Sequence, residues 1–196
     1  MLFLLFLLSF IICLSEQYEG NEFMGRKSTK ENKNIYQISR ENMGFSREAA
    51  AEQLGFISAD RIEKIENERT LPHPDEVLAM ADGYKNPSLC NYFCSRECPI
   101  GREYVPEVHA KELSQITLEM LATLNKLSRD KERLIEITVD GELSEDEIPD
   151  FMKIKEELEK MALAIDSLNL WMENTIATGK IDKSLIEHMK KIITTG

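Results

Sequence analysis

The stretch Gly44-Phe45-Ser46-Arg47-Glu48-Ala49-Ala50-Ala51-Glu52-Gln53-Leu54-Gly55-Phe56-Ile57-Ser58-Ala59-Asp60-Arg61-Ile62-Glu63-Lys64-Ile65-Glu66 decides how the chain folds. It contains two helix starts and one corner. Ser46 and Ser58 each precede a helix-forming run, where a serine hydroxyl accepts a hydrogen bond from the first free amides. Gly55 lies between the runs and tolerates the positive φ of a sharp helix-to-helix corner. Ala50, Ala51 and Leu54 share one inner face, and Ile62 and Ile65 share the other. Small alanines let the two axes approach closely.

Residues 34 to 85 resemble the phage-repressor-like, xenobiotic-response-element (XRE) family of helix-turn-helix regulators. The landmarks are Gly44, Ser46, Ala51, Gly55 and Ile65-Glu66, with Pro72 ahead of a further helix from Asp75 to Tyr84. The resemblance implies a double-stranded DNA operator as partner, with the second helix presented to the major groove. One feature departs from the family. The turn Gly55-Phe56-Ile57-Ser58 is one residue longer than the commonest spacing, so the recognition helix is expected to be rotated or to start late. Ala59, Asp60, Arg61, Glu63 and Lys64 are expected to face outward. Arg61 can fork onto a guanine edge, Lys64 or Arg47 can hold phosphates, and Ser58 stands at the helix start. The expected DNA-binding set is therefore Arg47, Ser58, Ala59, Arg61 and Lys64. Asp60 and Glu63 oppose DNA unless they accept from cytosine amines.

Charge restricts where such binding can occur. The 196-residue chain has a formal net charge of −11, and acidic surfaces repel phosphate. Met24 to Ser88 is nearly neutral, with ten basic and eleven acidic residues, whereas the chain after Ser88 has fourteen against twenty-one. Arg26, Lys27, Lys30 and Lys33 form a basic arm over residues 24–33, which either lies along the DNA backbone or remains a solvated leader.

Residues 2–14 are almost continuously apolar but fall short of the roughly 20 residues that span a bilayer. No Lys or Arg precedes them, no clean small-x-small cleavage site follows, and Cys13 after two isoleucines makes a poor lipoprotein site. Glu19-Gly20 requires purine-rich codons shortly before Met24, as a ribosome-binding site would. Residues 1–23 are thus expected to be an over-extended gene start, the alternative being a signal or anchor. The matching expectation is a cytoplasmic protein without stable membrane association, or a tethered or exported one if the leader is real.

Cys90, Cys94 and Cys98 recur every four residues in the segment 89–105, which places three sulfurs along one side of a helix. Asn86 and Pro87 are expected to open that helix and Pro99 to end it. The thiols suit packing, or zinc or an iron–sulfur cluster with His73, His109 or an outside group completing the set. Redox sensing is the third option, helped if Arg96 stabilises a thiolate. No resident cofactor is the leading expectation, because the paired two-residue spacings of zinc sites are absent.

From Val108 the pattern is helical. Phe151, Ile154, Leu158, Met161, Ile165, Leu168 and Met172 step as a heptad seam, and Leu113, Ile116, Met120, Leu124, Leu127 and Leu134 form a rougher stripe. An antiparallel hairpin over 106–178 is expected, dimerising the chain as a coiled coil or else folding back as an intramolecular bundle. Between the two stripes, Asp140-Gly141, Leu143 and Glu147 imitate the later half of a calcium loop. Early ligands are missing, so a turn followed by a Ser144-x-x-Glu147 capping box is the better reading. Residues 179–196 form a short amphipathic tail.

No phosphate-binding glycine loop, catalytic Ser-His-Asp order or metalloprotease helix occurs, and the histidines at 73, 109 and 188 do not gather. An enzyme is not expected. The fold class is all-α: a compact helix-turn-helix domain at 34–88, a short cysteine-containing helix and a long carboxy-terminal hairpin. The function that follows is a DNA-binding transcriptional regulator. Its rivals are a protein-interaction adapter on the same fold and a metal- or redox-responsive sensor.

Overall fold

The computed structural model describes residues 32–195, so the apolar leader 1–23 and the basic arm up to Glu31 lie outside the described residues. The fold is all-α. Helices α1 (Ile35–Asn42), α2 (Arg47–Leu54), α3 (Ala59–Glu66) and α4 (Pro74–Gly83) form an amino-terminal unit. Their starts are locally encoded. Asn34, Ser46 and Ser58 accept from the backbone N–H of Gln37, Ala49 and Arg61 respectively. At the head of α4, the Glu76 carboxylate accepts from His73 N–H at 2.6 Å.

The α2–α3 corner is closed by Gly55 and filled by Ile57. Gly55 takes φ +77° and its N–H donates to Ala51 O, closing α2. Ile57 then turns inward and is fully buried with Ala50, Leu54, Ile62, Ile65 and Met80. This corner residue thus plugs the core. At the other side of that core, Gly83 lets α4 press on α2, because a Cβ there would lie 2.7 Å from Leu54 Cδ2.

A charged clamp ties three of these helices together. Arg40 of α1 donates to both carboxylate oxygens of Glu66 at the end of α3, at 2.5 and 3.0 Å. Arg47 of α2 reaches the same carboxylate at 2.8 Å. Glu66 is 1% exposed, and two guanidinium groups with their hydrogen bonds stand where water would otherwise solvate it.

The chain continues through α5 (Ser88–Tyr92), a π-helical turn (Phe93–Glu97) and α6 (Gly101–Tyr104). Pro87, rather than Asn86, occupies the cap position of α5. Asn86 is taken elsewhere, its Nδ2 donating to Ser39 Oγ at 2.8 Å. Gly101 is required by close backbone contact, since a Cβ there would sit 2.0 Å from the Cys94 carbonyl oxygen. The segment grips the amino-terminal unit through Tyr36, whose hydroxyl donates to Glu97 at 2.8 Å and whose ring meets Tyr92 edge-on.

Helices α7 (Leu113–Thr138) and α8 (Ile148–Ala177) pack as an antiparallel hairpin, followed by α9 (Lys183–Thr195). Lys126–Glu157 and Arg133–Asp150 fix one register between the two rods. The buried positions of α8 are Ile154, Ala164, Ser167 and Leu170, while Leu158 and Ile165 of the expected heptad seam are exposed. Small residues at 164 and 167 accommodate a close neighbour, which a strict heptad reading overlooks. No helix among the described residues is long and apolar enough to cross a membrane.

Candidate nucleic-acid interface

Helix α3 presents its first turn and one flank to solvent. Ser58, Asp60 and Lys64 are exposed, Ala59 and Glu63 half-buried, while Ile62, Ile65 and Glu66 face the core. Lys64 Nζ pairs with Asp60 Oδ2 at 2.7 Å across one helical turn. Both groups are well exposed, so the pair contributes little and opens readily to another partner.

Arg61 behaves differently from the guanine reader expected of it. Its Nε and Nη2 donate to the two oxygens of Glu76 at 2.8 and 2.7 Å. Nη1 donates to Thr70 Oγ1 at 2.8 Å and Nη2 to the Leu71 carbonyl at 2.9 Å. The guanidinium therefore fastens the first turn of α3 to the start of α4 and to the loop between them. The hydrogen bonds from Arg61 hold the Glu76 carboxyl below its ordinary range, and the same bonds raise Arg61. Arg47, expected on phosphate, donates to Glu66 and keeps only part of its side chain in solvent.

Two exposed side chains near this face escaped sequence reasoning. Arg69 follows Glu68, whose φ of +57° turns the chain out of α3, and the Arg69 guanidinium has no protein partner. It is the one unpaired cation among the seven Lys and Arg of described residues 32–88. The other six, Lys33, Arg40, Arg47, Arg61, Lys64 and Lys85, are in ion pairs. Phe56 projects from the α2–α3 corner. The signal for both was their position at the two ends of α3, where neither matched a family landmark.

A capped α2, a glycine corner and an α3 that offers its outer flank to solvent form a bent helix pair. Residues 37–87, about a quarter of the chain, match a family of helix-turn-helix domains. This segment is a helix-turn-helix domain. Neither curated proteins nor solved structures give a match to the chain. Within the helix-turn-helix domain α3 occupies the recognition position and α2 precedes it.

The cysteines that follow the domain do not converge. Cys90 lies in α5, Cys94 in the π-helical turn and Cys98 in extended backbone beyond it, so the three do not share one continuous α-helix. Among the described residues no three His, Cys, Asp or Glu side chains gather in a way that could hold a metal ion. Cys98 Sγ accepts from Gly101 N–H at 3.5 Å. Burial, then Cys94 and Glu173, push the Cys90 thiol up, away from the thiolate that metal binding or redox sensing requires. Arg96, offered as a thiolate stabiliser, pairs with Glu107 and covers the Tyr92 ring.

At the hairpin connection, Asp140 Oδ1 accepts from Glu142 N–H and the Glu147 carboxylate accepts from both Ser144 N–H and Ser144 Oγ. Glu147 thus performs its half of the capping box. The Ser144 carbonyl, rather than its hydroxyl, meets the Glu147 amide.

Proposed function

We propose that the chain is a transcription regulator of the XRE type that binds double-stranded DNA through its helix-turn-helix domain and acts in the cytoplasm. The observation that carries this reading is the capped, glycine-cornered α2–α3 pair within the matched residues 37–87. Such a domain supports a binding role rather than a catalytic one. In this reading Lys64, in the last turn of α3, and Arg69, just beyond it, approach phosphates from the carboxy-terminal end of the helix. Ser58, Ala59 and Glu63 lie at the base edges, Glu63 accepting from a cytosine amine. Arg61 and Arg47 serve as positioning residues, holding α3 at its angle through Glu76 and Glu66. The carboxy-terminal helices join two copies, matching a two-fold symmetric operator.

The test is selection of bound fragments from the source genome by the full chain, followed by gel-shift titration of the enriched site. Enrichment of one sequence, weakened at least tenfold by Lys64→Ala/Arg69→Ala, supports the reading. Uniform recovery of all fragments, or none, overturns it.

A second reading has its own observation. Six of the seven cations described in residues 32–88 are already neutralised, and Asp60 stands 72% exposed by its side chain on the recognition helix. That surface suits a cationic protein segment better than a polyanion. Asp60→Lys separates the two readings, since it strengthens DNA binding in the first and abolishes protein capture in the second.

A further inference from the structure

The hairpin covers its apolar surface unevenly. Its register places the α7–α8 connection at a far end, while the linker to the helix-turn-helix domain and α9 share the near end. At the far end Ile135, Val139, Leu143, Ile148 and Met152 remain exposed, Ile135 at 62% and Val139 at 77%. The connection beside them holds Asp140, Glu142, Glu145, Asp146 and Glu147 and no Lys or Arg. Arg133 and Lys153 at this end both pair with Asp150, so the charge left on the connection is negative, and apolar side chains beside it make a surface for another molecule.

Helix α9 has the complementary character. Leu185 and Met189 lie one turn apart and are exposed. Lys180, Lys183, Lys190 and Lys191 outnumber Asp182 and Glu187 in the same segment. Its own hairpin cannot bring it to the far end. The 30 residues of α8 span about 45 Å, whereas the 13 residues of α9 span about 20 Å from the turn at Gly179. Only another chain can supply an α9 there.

We propose that the far end of the hairpin is the docking site for α9 of a second copy of this chain. The two hairpins overlap antiparallel about a two-fold axis, and each basic, amphipathic α9 lies across the acidic connection of its partner. The contact is isologous, so both copies of it form together. Leu185 and Met189 meet the apolar patch of the second copy, and the lysines of the tail face the carboxylates of the connection. This surface deepens the self-association stated above and is independent of DNA reading.

The test uses the full chain. Light scattering across a concentration series gives the stoichiometry, and a photo-reactive residue in place of Met189, in mixtures of isotopically heavy and light chains, locates the contact. A dimer with heavy-to-light cross-links to residues 135–152 is expected. Lys180→Glu/Lys183→Glu is expected to raise the dimer Kd at least tenfold, and Glu142→Lys/Glu145→Lys in the same chain to restore it. Far-ultraviolet dichroism confirms that both variants stay helical. A monomer at every concentration overturns both the self-association and this surface. A dimer whose cross-links fall within one chain, or outside residues 135–152, overturns this surface and leaves self-association standing.

Discussion

Arg61 was legible as an outward residue of a recognition helix, and its actual partner was not. The residue it binds, Glu76, lies on the next helix, so the clamp depends on how α4 docks rather than on any local pattern. Its role can be measured. Arg61→Ala leaves the Glu76 carboxylate with the His73 amide as a donor and is expected to cost about 1–3 kcal/mol in urea unfolding. Arg61→Lys should recover little of this, because an ammonium cannot reproduce the two-pronged contact. Arg40→Met is expected to cost more, about 3–5 kcal/mol, since the buried Glu66 loses its two-pronged guanidinium and keeps Arg47.

The same clamps set a pH dependence. Hydrogen bonds from Arg61 lower Glu76; for Glu41 burial would raise the group, but hydrogen bonds from Lys33 and Gln37 outweigh it and lower it. A carboxyl lowered in the fold contributes stability above its unfolded value, about 4.3, and loses it as pH falls through the folded value. Glu97 has the opposite sign. Burial raises it more than the Tyr36 hydroxyl lowers it, so its contribution is present at low pH and lost as pH rises through the folded value. Urea midpoints measured from pH 3 to 7 should therefore rise with pH in the parent chain, and Glu97→Gln should steepen that rise.

At the scale of elements, the starts of α1, α2 and α3 were readable because each depends on one side chain and an amide three residues ahead. The corner was readable through Gly55, but nothing local revealed that Ile57 would fill the core. In the cysteine segment the expected single helix differs from the observed path of the chain for a physical reason. Spacing by four implied one continuous α-helix, whereas the chain passes through a π-helical turn and reaches extended backbone at Cys98. Nothing in Phe93-Cys94-Ser95-Arg96-Glu97 announces such a turn. What holds it is distant: Tyr36 on Glu97, and Gly101 against the Cys94 carbonyl. Gly101→Ala should lower the melting temperature by several degrees, since backbone must move to admit a methyl group. An unchanged melting temperature would show that the segment yields without loss.

For the whole molecule, the all-α class and the order of its parts were legible from periodicity, while the faces left over by the hairpin were not. Heptad spacing implied that Leu158 and Ile165 would be covered by α7, yet the register brings Ala164 and Ser167 to the buried side instead. The unevenness of that packing gives the far end its exposed apolar surface.

Internal pairing of nearly every cation in the helix-turn-helix domain also bears on how a duplex would be held. Guanidiniums already committed to carboxylates displace few condensed ions from DNA, so the entropy that usually drives such complexes would be small. With about one to three phosphates neutralised per domain, the logarithm of affinity should fall with the logarithm of salt at a slope of roughly −1 to −3, against about −6 or steeper for richly basic readers. Such a complex would tolerate ionic fluctuation and depend on groove fit for its grip.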